Sequence, residues 1–293
     1  MTAAFAIIPW FQAKPWEIPL GFTLPIFGVD HIPIQPFGLL VAAGVILGAR
    51  IAEWKARRIG IQPAIVADYI TYTLISGFAG AYFLNALFYE PEVWLDIFDE
   101  PSLLFKRYLG LSSYGGFIGV VVGSLIWRWR RQIPIMPVAD AAAFGFPFGW
   151  MLGRTGCFVV HDHPGTPSDF FLAVDAYRVG NPPFVPRHDL GLYEVIWSIA
   201  VIALFLWLTR KPRPRGFYLA LLPVLYTPVR FYLDFLRAEA EFGGDVRYLG
   251  LTPGQYASIG MFILGSALMV FVLRRPDPML PVHARLTTPP ASK

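Results

Sequence analysis

Seven long blocks of apolar residues are the feature of this sequence that most constrains its fold. They cover residues 36–53, 64–89, 114–129, 137–153, 190–208, 217–236 and 254–273. A helix of about 20 residues crosses the roughly 30 Å hydrocarbon core of a bilayer, and the blocks approach that length. Only 15% of the residues are charged, whereas a soluble domain has about 25%. The sequence therefore predicts an all-α, polytopic membrane protein of about seven transmembrane helices.

The basic residues predict how the chain is oriented in the membrane. Lys and Arg cluster after the first, third, fifth and last blocks, whereas the other connections are acidic or mixed. Because cytoplasmic loops carry the excess of Lys and Arg, the N-terminus is predicted outside and the C-terminus in the cytoplasm. This alternation also accounts for the net charge of +4 without a nucleic-acid partner, since the basic residues do not line one polar face.

The chain is predicted to have three parts. Prolines interrupt the stretch before the first block, so residues 1–35 are expected to form an extracytoplasmic or interfacial arm rather than a cleaved signal peptide. Residues 36–275 form the transmembrane helical domain. Its longest connection, 154–189, is predicted to lie outside, and connections of this length are usually functional or disordered. Residues 276–293 are predicted to be a cytoplasmic tail.

A charged residue, Arg230, lies well inside the sixth apolar block. Such a side chain raises the free energy of membrane insertion by about 3 kcal/mol, so a partner is expected. On a helix, Tyr226, Arg230, Asp234 and Arg237 share one stripe. Arg230 and Asp234 can pair there, and the second arginine leaves positive charge for an anion such as phosphate. The alternative is an ion pair that only locks helix packing.

A second polar cluster follows the fourth block and contains Arg154, His161, Asp162 and His163. Arg154 is predicted at the outer end of a helix, either binding an anion or serving as an interfacial anchor. A histidine beside a carboxylate suits a general base, because its pKa lies near neutrality. No metal is predicted, since the His-Asp-His run has no evident third ligand. The single cysteine, Cys157, excludes an internal disulfide and is expected to be a packing residue.

Two further groups are candidates for the same site. Tyr114, Gly115 and Gly116 open the third block, where backbone amides of the glycines could bind a phosphate or an ester. Close helix packing is the alternative for these glycines. Glu194 lies just inside the fifth block and is a candidate partner for a buried arginine.

These segments resemble the bacterial prolipoprotein diacylglyceryl transferases over residues 36–270. The segment Asp140–Gly165 is similar to the family signature of an Asp, a Gly-rich stretch, Gly-Arg-x-Gly-Asn-Phe and an acid. The segment Tyr226–Arg237 is similar to the family pattern Tyr-x-x-x-Arg-x-x-x-Glu-x-x-Arg. The segments His188–Glu194 and Gly254–Ser258 add weaker support.

The resemblance implies a multi-pass enzyme of the bacterial inner membrane that takes part in lipoprotein biosynthesis. It would transfer a diacylglyceryl group from phosphatidylglycerol to the lipobox cysteine of a prolipoprotein. Its partners would be phosphatidylglycerol, the preprolipoprotein signal peptide and membrane lipids, with no metal or other cofactor. Arg154 is then implied to bind the phosphatidylglycerol headgroup, and Arg230 is implied to be the second essential arginine.

The remaining site residues are assigned by hypothesis. Their expected roles are to orient the two arginines (Asp162, Asp234, Glu194), to handle the proton (Tyr114, His161, His163) and to extend the lipid site (Gly115, Gly116, Tyr226, Arg237).

The sequence departs from the family pattern at several of these positions. Tyr114 stands where the family has His, Cys157 and Val160 stand where it has Asn, and Asp162 and Asp234 stand where it has Glu. Two alternatives therefore remain open. One is a catalytically altered, phospholipid-binding homologue that acts on another acceptor. The other is a membrane transporter, although the sequence has no evident inverted repeat of broken helices.

Overall fold

The computed structural model describes residues 8–24, 29–88, 112–239, 242 and 247–274. Within these residues the chain forms helices α1 (Pro36–Arg58), α2 (Pro63–Phe88), α3 (Ser113–Arg131), α4 (Ile135–Val160), α5 (Leu190–Leu208), α6 (Phe217–Leu233) and α7 (Pro253–Arg274). Each apolar block of the sequence corresponds to one of these helices. The prediction of a helical fold is therefore confirmed.

Five helices are long and apolar enough to cross a membrane, namely α1, α2 over Pro63–Asn85, α4, α5 and α7. Helix α6 is also apolar but has only 17 residues. Helix α3 carries Arg128, Arg130 and Arg131 in its last turn. The chain is thus a multi-pass membrane protein, while the count of seven spans and the orientation of the termini stay predictions.

Four strands lie outside the helices in the part of the chain that the structure describes. Strands β1 (Trp16–Leu24) and β2 (Val29–Ile34) form an antiparallel hairpin in which Trp16 is opposite Ile34. Strands β3 (Pro164–Pro167) and β4 (Arg187–Asp189) pair antiparallel within the connection from α4 to α5. Helix α4 itself runs to Val160, so the first part of the predicted 154–189 loop is helical, and Arg154 lies within the helix rather than at its end.

Glycines bring α1 and α4 into close contact. A Cβ atom placed on Gly44 would lie 2.6 Å from the carbonyl oxygen of Gly149, and one placed on Gly48 would lie 3.3 Å from the carbonyl oxygen of Gly145. Small residues at such positions let helix backbones approach closely, which drives helix association in lipid. This contact fixes α4, the helix that carries Arg154.

Aromatic packing joins α4, α5 and α6 into one core. The fully buried ring of Phe144 lies 5.8 Å from the ring of Phe205 and 4.9 Å from the ring of Tyr218. The ammonium of Lys55 from α1 lies over both Phe144 and Tyr218. Three helices that each carry a polar candidate are therefore held against one another by apolar side chains.

A buried carboxylate on α4 caps the start of α6. Asp140 is fully buried, and its Oδ1 accepts the backbone N–H groups of Tyr218 and Leu219 at 2.7 Å and 3.0 Å. Gly216, the residue at the start of α6, supplies no side-chain cap of its own. An acceptor with negative charge at this end satisfies free N–H groups and complements the helix dipole. The cap fixes where α6 begins relative to α4.

We expect Asp140→Ala to lower the free energy of unfolding by about 2 kcal/mol, because it leaves one buried and one partly buried N–H group without their acceptor. The thermal unfolding midpoint of the purified protein in detergent measures this effect. Asp169→Ala, at an exposed position of the α4–α5 connection, is the matched control and should leave the midpoint unchanged. Equal midpoints for the two variants would contradict the capping role.

Candidate active site

A buried ion pair joins α4 to α5. The Nε atom of Arg154 lies 2.8 Å from Oε2 of Glu194, and the two side chains are only 8% and 1% exposed. Trp150 and Tyr226 donate hydrogen bonds to the same carboxylate oxygen at 3.1 Å and 3.2 Å. The indole ring of Trp150 also lies 4.6 Å from the guanidinium carbon of Arg154. The prediction that Glu194 partners a buried arginine is confirmed.

A second buried ion pair closes the end of α6. The Nη1 atom of Arg230 lies 2.6 Å from Oδ1 of Asp234, whose side chain is fully buried. Thr252 donates its hydroxyl to the other oxygen of Asp234, and Arg247 donates from Nη2 to the Asp234 backbone carbonyl at 2.8 Å. The predicted pairing of Arg230 with Asp234 is confirmed, and contacts from the segment before α7 hold the carboxylate in place.

The two arginines belong to one cluster. Tyr226 donates to Oε2 of Glu194, the oxygen that also pairs with Arg154. Arg230 follows Tyr226 by one turn of α6 and so lies on the same side of that helix. The side chain of Arg230 is 14% exposed, so the cluster is not sealed on that side. Three helices thus place two planar guanidinium groups around a shared tyrosine and carboxylate.

His163 and Asp162 extend this cluster beyond the end of α4. Nε2 of His163 lies 3.2 Å from Nη1 of Arg154, and Nδ1 lies 2.5 Å from Oδ1 of Asp162. Because a guanidinium can only donate, Nε2 accepts from Arg154 and the N–H at Nδ1 donates to Asp162. Burial alone would raise the pKa of Asp162, but the hydrogen bond and charge of His163, together with Arg154, hold it below its usual range.

His161 has a different environment. Its Nδ1 lies 2.7 Å from Oδ2 of Asp189, its ring stacks on Trp10 at 4.4 Å, and its side chain is 1% exposed. It ends α4 in the left-handed conformation, with φ of 54°. The sequence does not distinguish His161 from His163 as the acid–base residue. The structure brings His163 to Arg154 and turns His161 toward Asp189.

The glycines at the start of α3 pack against α2. A Cβ atom on Gly115 would lie 2.9 Å from Cα of Ala81. The N–H of Gly115 donates to Oγ of Ser112 at 3.4 Å, and the N–H of Gly116 donates to the Ser112 carbonyl at 3.0 Å. This geometry supports helix packing over lipid binding for the pair. The side chain of Tyr114 lies outside the described part of the chain.

Arg237 does not continue the helical stripe of Arg230. Helix α6 ends at Leu233, so the predicted spacing fails at this position. The backbone of Arg237 instead pairs with Gly165 of β3, whose carbonyl oxygen accepts a hydrogen bond from Arg187. The chain turns at residues 234–236 immediately after the helix, which explains the difference.

Three contacts of the cluster have no counterpart in the sequence predictions. Trp150 lies one helical turn before Arg154. Because residues four apart are neighbours on a helix, this spacing alone indicates the contact. Arg247 and Thr252 reach Asp234 from a different connection, so no local pattern indicates them.

The helices and the buried arginine cluster define a membrane-embedded protein with a polar centre. Comparison with known proteins identifies its family. The profile of the prolipoprotein diacylglyceryl transferases matches residues 25–271, so the chain belongs to this family of transferases. The matched range contains all of the cluster described above.

Three relatives illustrate the extent of the similarity, and each bears the name phosphatidylglycerol–prolipoprotein diacylglyceryl transferase. The protein of Mannheimia succiniciproducens is 32% identical, over 85% of this chain and 92% of its own length. That of Methylobacillus flagellatus is 30% identical, over 88% and 97%. That of Janthinobacterium sp. is 29% identical, over 91% and 98%. The family resemblance predicted from the sequence motifs is confirmed.

We expect Glu194→Ala to lower the free energy of unfolding by about 3–5 kcal/mol, because it leaves the Arg154 charge buried without its partner. The double variant Glu194→Ala/Arg154→Ala removes both charges and should recover part of that loss. Thermal unfolding of the single and double variants in detergent tests this. If the double variant is less stable than the single variant, the two side chains do not act as a pair.

Proposed function

We propose that this protein transfers the diacylglyceryl group of phosphatidylglycerol to the lipobox cysteine thiol of prolipoproteins. The observation that carries the proposal is the placement of Arg154 and Arg230 around Tyr226 and Glu194, among helices apolar enough to lie in a bilayer. The names of the relatives give the substrates, and the cluster offers the groups that such a substrate requires.

The reaction requires a cationic site for a departing phosphate. The bond between the glyceryl carbon and the phosphate oxygen breaks, a carbon–sulfur bond forms, and glycerol phosphate leaves as an anion. Preorganised positive groups around developing negative charge usually make the largest contribution to such catalysis. The planar forks of Arg154 and Arg230 match the geometry of phosphate oxygens.

The carboxylates orient these forks. Glu194 engages Arg154 through Nε, and Asp234 engages Arg230 through Nη1. Each guanidinium has five N–H donors, so one carboxylate fixes its plane while other donors remain to contact phosphate. The two carboxylates carry as much negative charge as the two arginines carry positive charge. This pairing lowers the free-energy cost of keeping both arginines within hydrocarbon before the lipid binds.

The acceptor thiol must lose its proton, because the thiolate is the competent nucleophile. His163 is the proposed proton acceptor, since its Nε2 carries a lone pair and faces Arg154. Movement of Arg154 toward the lipid phosphate would free this nitrogen. Asp162, which accepts from the other ring nitrogen, would then stabilise the imidazolium. Tyr114 is the second candidate for this role.

The proposed reaction takes place in the bacterial inner membrane. Seven spans, with the N-terminal arm outside and the C-terminal tail in the cytoplasm, would place the cluster in the outer half of the bilayer. Phosphatidylglycerol would enter sideways from the lipid, and the signal peptide of the prolipoprotein would approach along the same membrane.

We expect Arg154→Lys and Arg230→Lys each to reduce transfer at least about 100-fold, because lysine keeps the charge but loses the planar fork. The measurement uses purified protein, labelled phosphatidylglycerol and a lipobox peptide. Arg178→Lys, at an exposed position of the α4–α5 connection, is the matched control and should retain full activity.

A wild-type protein that leaves the peptide unmodified would overturn the assigned reaction. Labelled lipid bound without transfer would then indicate a phospholipid-binding homologue with another acceptor. Near-normal transfer by both arginine variants would instead exclude the phosphate-binding role of the cluster.

We expect His163→Ala to slow transfer by about 100-fold, the lower end of the usual contribution of a general base. His161→Ala should leave the turnover of folded protein much less affected, because His161 contacts Asp189 rather than Arg154. Both variants are compared at saturating lipid, with the folded fraction measured by gel filtration. If His161→Ala causes the larger loss of turnover, proton transfer is assigned to the wrong histidine.

A further inference from the structure

Three side chains with metal-ligating chemistry converge beside the arginine cluster. One ligand atom from each of Cys157, Asp162 and His163 lies within 4.8 Å of the others. The sequence run from His161 to His163 has no evident third ligand, and His161 in fact turns toward Asp189. The third side chain of the group is the thiol of Cys157, one helical turn before His161.

The end of α4 brings these residues together. Cys157 lies in the last turn of the helix, and His161 ends that helix in the left-handed conformation. The chain then turns back, so that the N–H of Asp162 lies 3.4 Å from the Cys157 carbonyl oxygen. One ligand atom of Asp162 and one of His163 consequently lie within 4.8 Å of the thiol.

A cationic group already contacts two of the three ligands. Nη1 of Arg154 lies 3.8 Å from Sγ of Cys157 and 3.2 Å from Nε2 of His163. The two acceptors therefore point toward a position occupied by positive charge. Since Arg154 is paired with Glu194, part of its own charge is offset at that point.

The ligands can be reached from outside the helix bundle. The side chains of Asp162 and His163 are 40% and 21% exposed, whereas Cys157 is buried. An ion arriving from the aqueous side would meet the carboxylate and the imidazole first, and then the thiol.

We propose that Cys157, Asp162 and His163 form a binding site for a borderline-soft divalent cation of the zinc class. A thiolate, an imidazole and a carboxylate together favour zinc over magnesium or calcium. The ligand atoms lie within 4.8 Å of one another, and zinc bonds of about 2.0–2.3 Å require them to close to roughly 3.5 Å apart. Three protein ligands leave a fourth, open coordination position.

The charges of this site balance. On binding, Cys157 loses its proton to water, and the thiolate and the Asp162 carboxylate together neutralise the two positive charges of the ion. The ion would take the place of the Arg154 N–H group next to Sγ and Nε2, and the Asp162 carboxylate would leave Nδ1 of His163 to bind it. Zinc and the guanidinium therefore compete for these acceptors. If the proposed transfer reaction holds, zinc inhibits it by displacing Arg154.

Cobalt binding tests the site directly. Purified full-length protein is freed of metal with a chelator and titrated with Co²⁺. We expect one equivalent to give the near-ultraviolet thiolate-to-cobalt charge-transfer absorption, and Zn²⁺ to abolish it. Failure of wild-type protein to show this absorption would overturn the proposal.

Variants identify the ligands. Cys157→Ser should remove the charge-transfer absorption. Asp162→Asn and His163→Gln should weaken cobalt binding by more than the roughly 10-fold that loss of an outer hydrogen-bond partner costs. His188→Gln and Asp169→Asn are matched controls outside the cluster and should bind cobalt as the wild type does. Unchanged cobalt affinity in Asp162→Asn and His163→Gln would overturn the assignment of these two ligands.

Thermal unfolding separates loss of binding from loss of folding. Zinc should raise the unfolding midpoint of the wild type and of the two control variants, but not that of Cys157→Ser or Cys157→Ala. A zinc-induced rise in both cysteine variants equal to that of the wild type would contradict the site.

The transfer assay distinguishes this proposal from the proposed function. Cobalt absorption without any lipid transfer would remove the proposed reaction and leave the metal site in place. Transfer without cobalt absorption would remove the metal site and leave the reaction. Transfer that zinc inhibits and a chelator restores would support both.

Discussion

The need to neutralise charge within hydrocarbon determines the arrangement of the centre of this molecule. Arg154 and Glu194 are both almost fully buried, on different helices, and each would carry a large free-energy penalty without the other. Their pairing requires α4 and α5 to lie side by side at one depth. Tyr226 and Trp150 donate to the same carboxylate, so α6 is drawn into the same layer. The polar cluster therefore positions helices as well as offering donors to a ligand.

Apolar and backbone contacts make this arrangement rigid. Glycines bring α1 against α4, Phe144 packs on α5 and α6, and Asp140 caps α6 from α4. The glycines fix the separation of α1 and α4, the packing of Phe144 fixes the rotation of α4 against its neighbours, and the Asp140 cap fixes the axial position of α6. The proposed binding of phosphate by two planar groups would need all three, because small errors in orientation weaken bidentate hydrogen bonds.

Sequence periodicity and length were sufficient to predict the helices, because an apolar block near 20 residues has few other solutions in a membrane. They also predicted the pairing of Arg230 with Asp234, which depends only on helical spacing. The end of α4 was harder to predict. A charged residue after an apolar block indicates the end of a span, yet α4 continues past Arg154 because its counter-ion comes from another helix.

Contacts between distant segments could not be predicted from local patterns. The choice between His161 and His163 depends on a left-handed residue at the end of α4, which directs neighbouring side chains to different sides. Thr252 and Arg247 reach Asp234 only after the chain has folded back. The family resemblance supplied the two arginines, but it did not indicate that Cys157 lies beside Asp162 and His163, since the family has asparagine at that position.

The N-terminal arm has a consequence for how the protein matures. Trp10 stacks on His161, and the N–H of Ala13 donates to the Val159 carbonyl oxygen at 3.1 Å. The segment before α1 thus covers a helix end that lies almost 150 residues further along the chain, at about the spacing of Ala13 and Val159. Both must reach the same side of the bilayer before the turn that carries Asp162 and His163 has its final support. A chain inserted with its arm on the opposite side would lack these contacts. Only chains with both segments on the same side of the bilayer would therefore form the complete polar cluster.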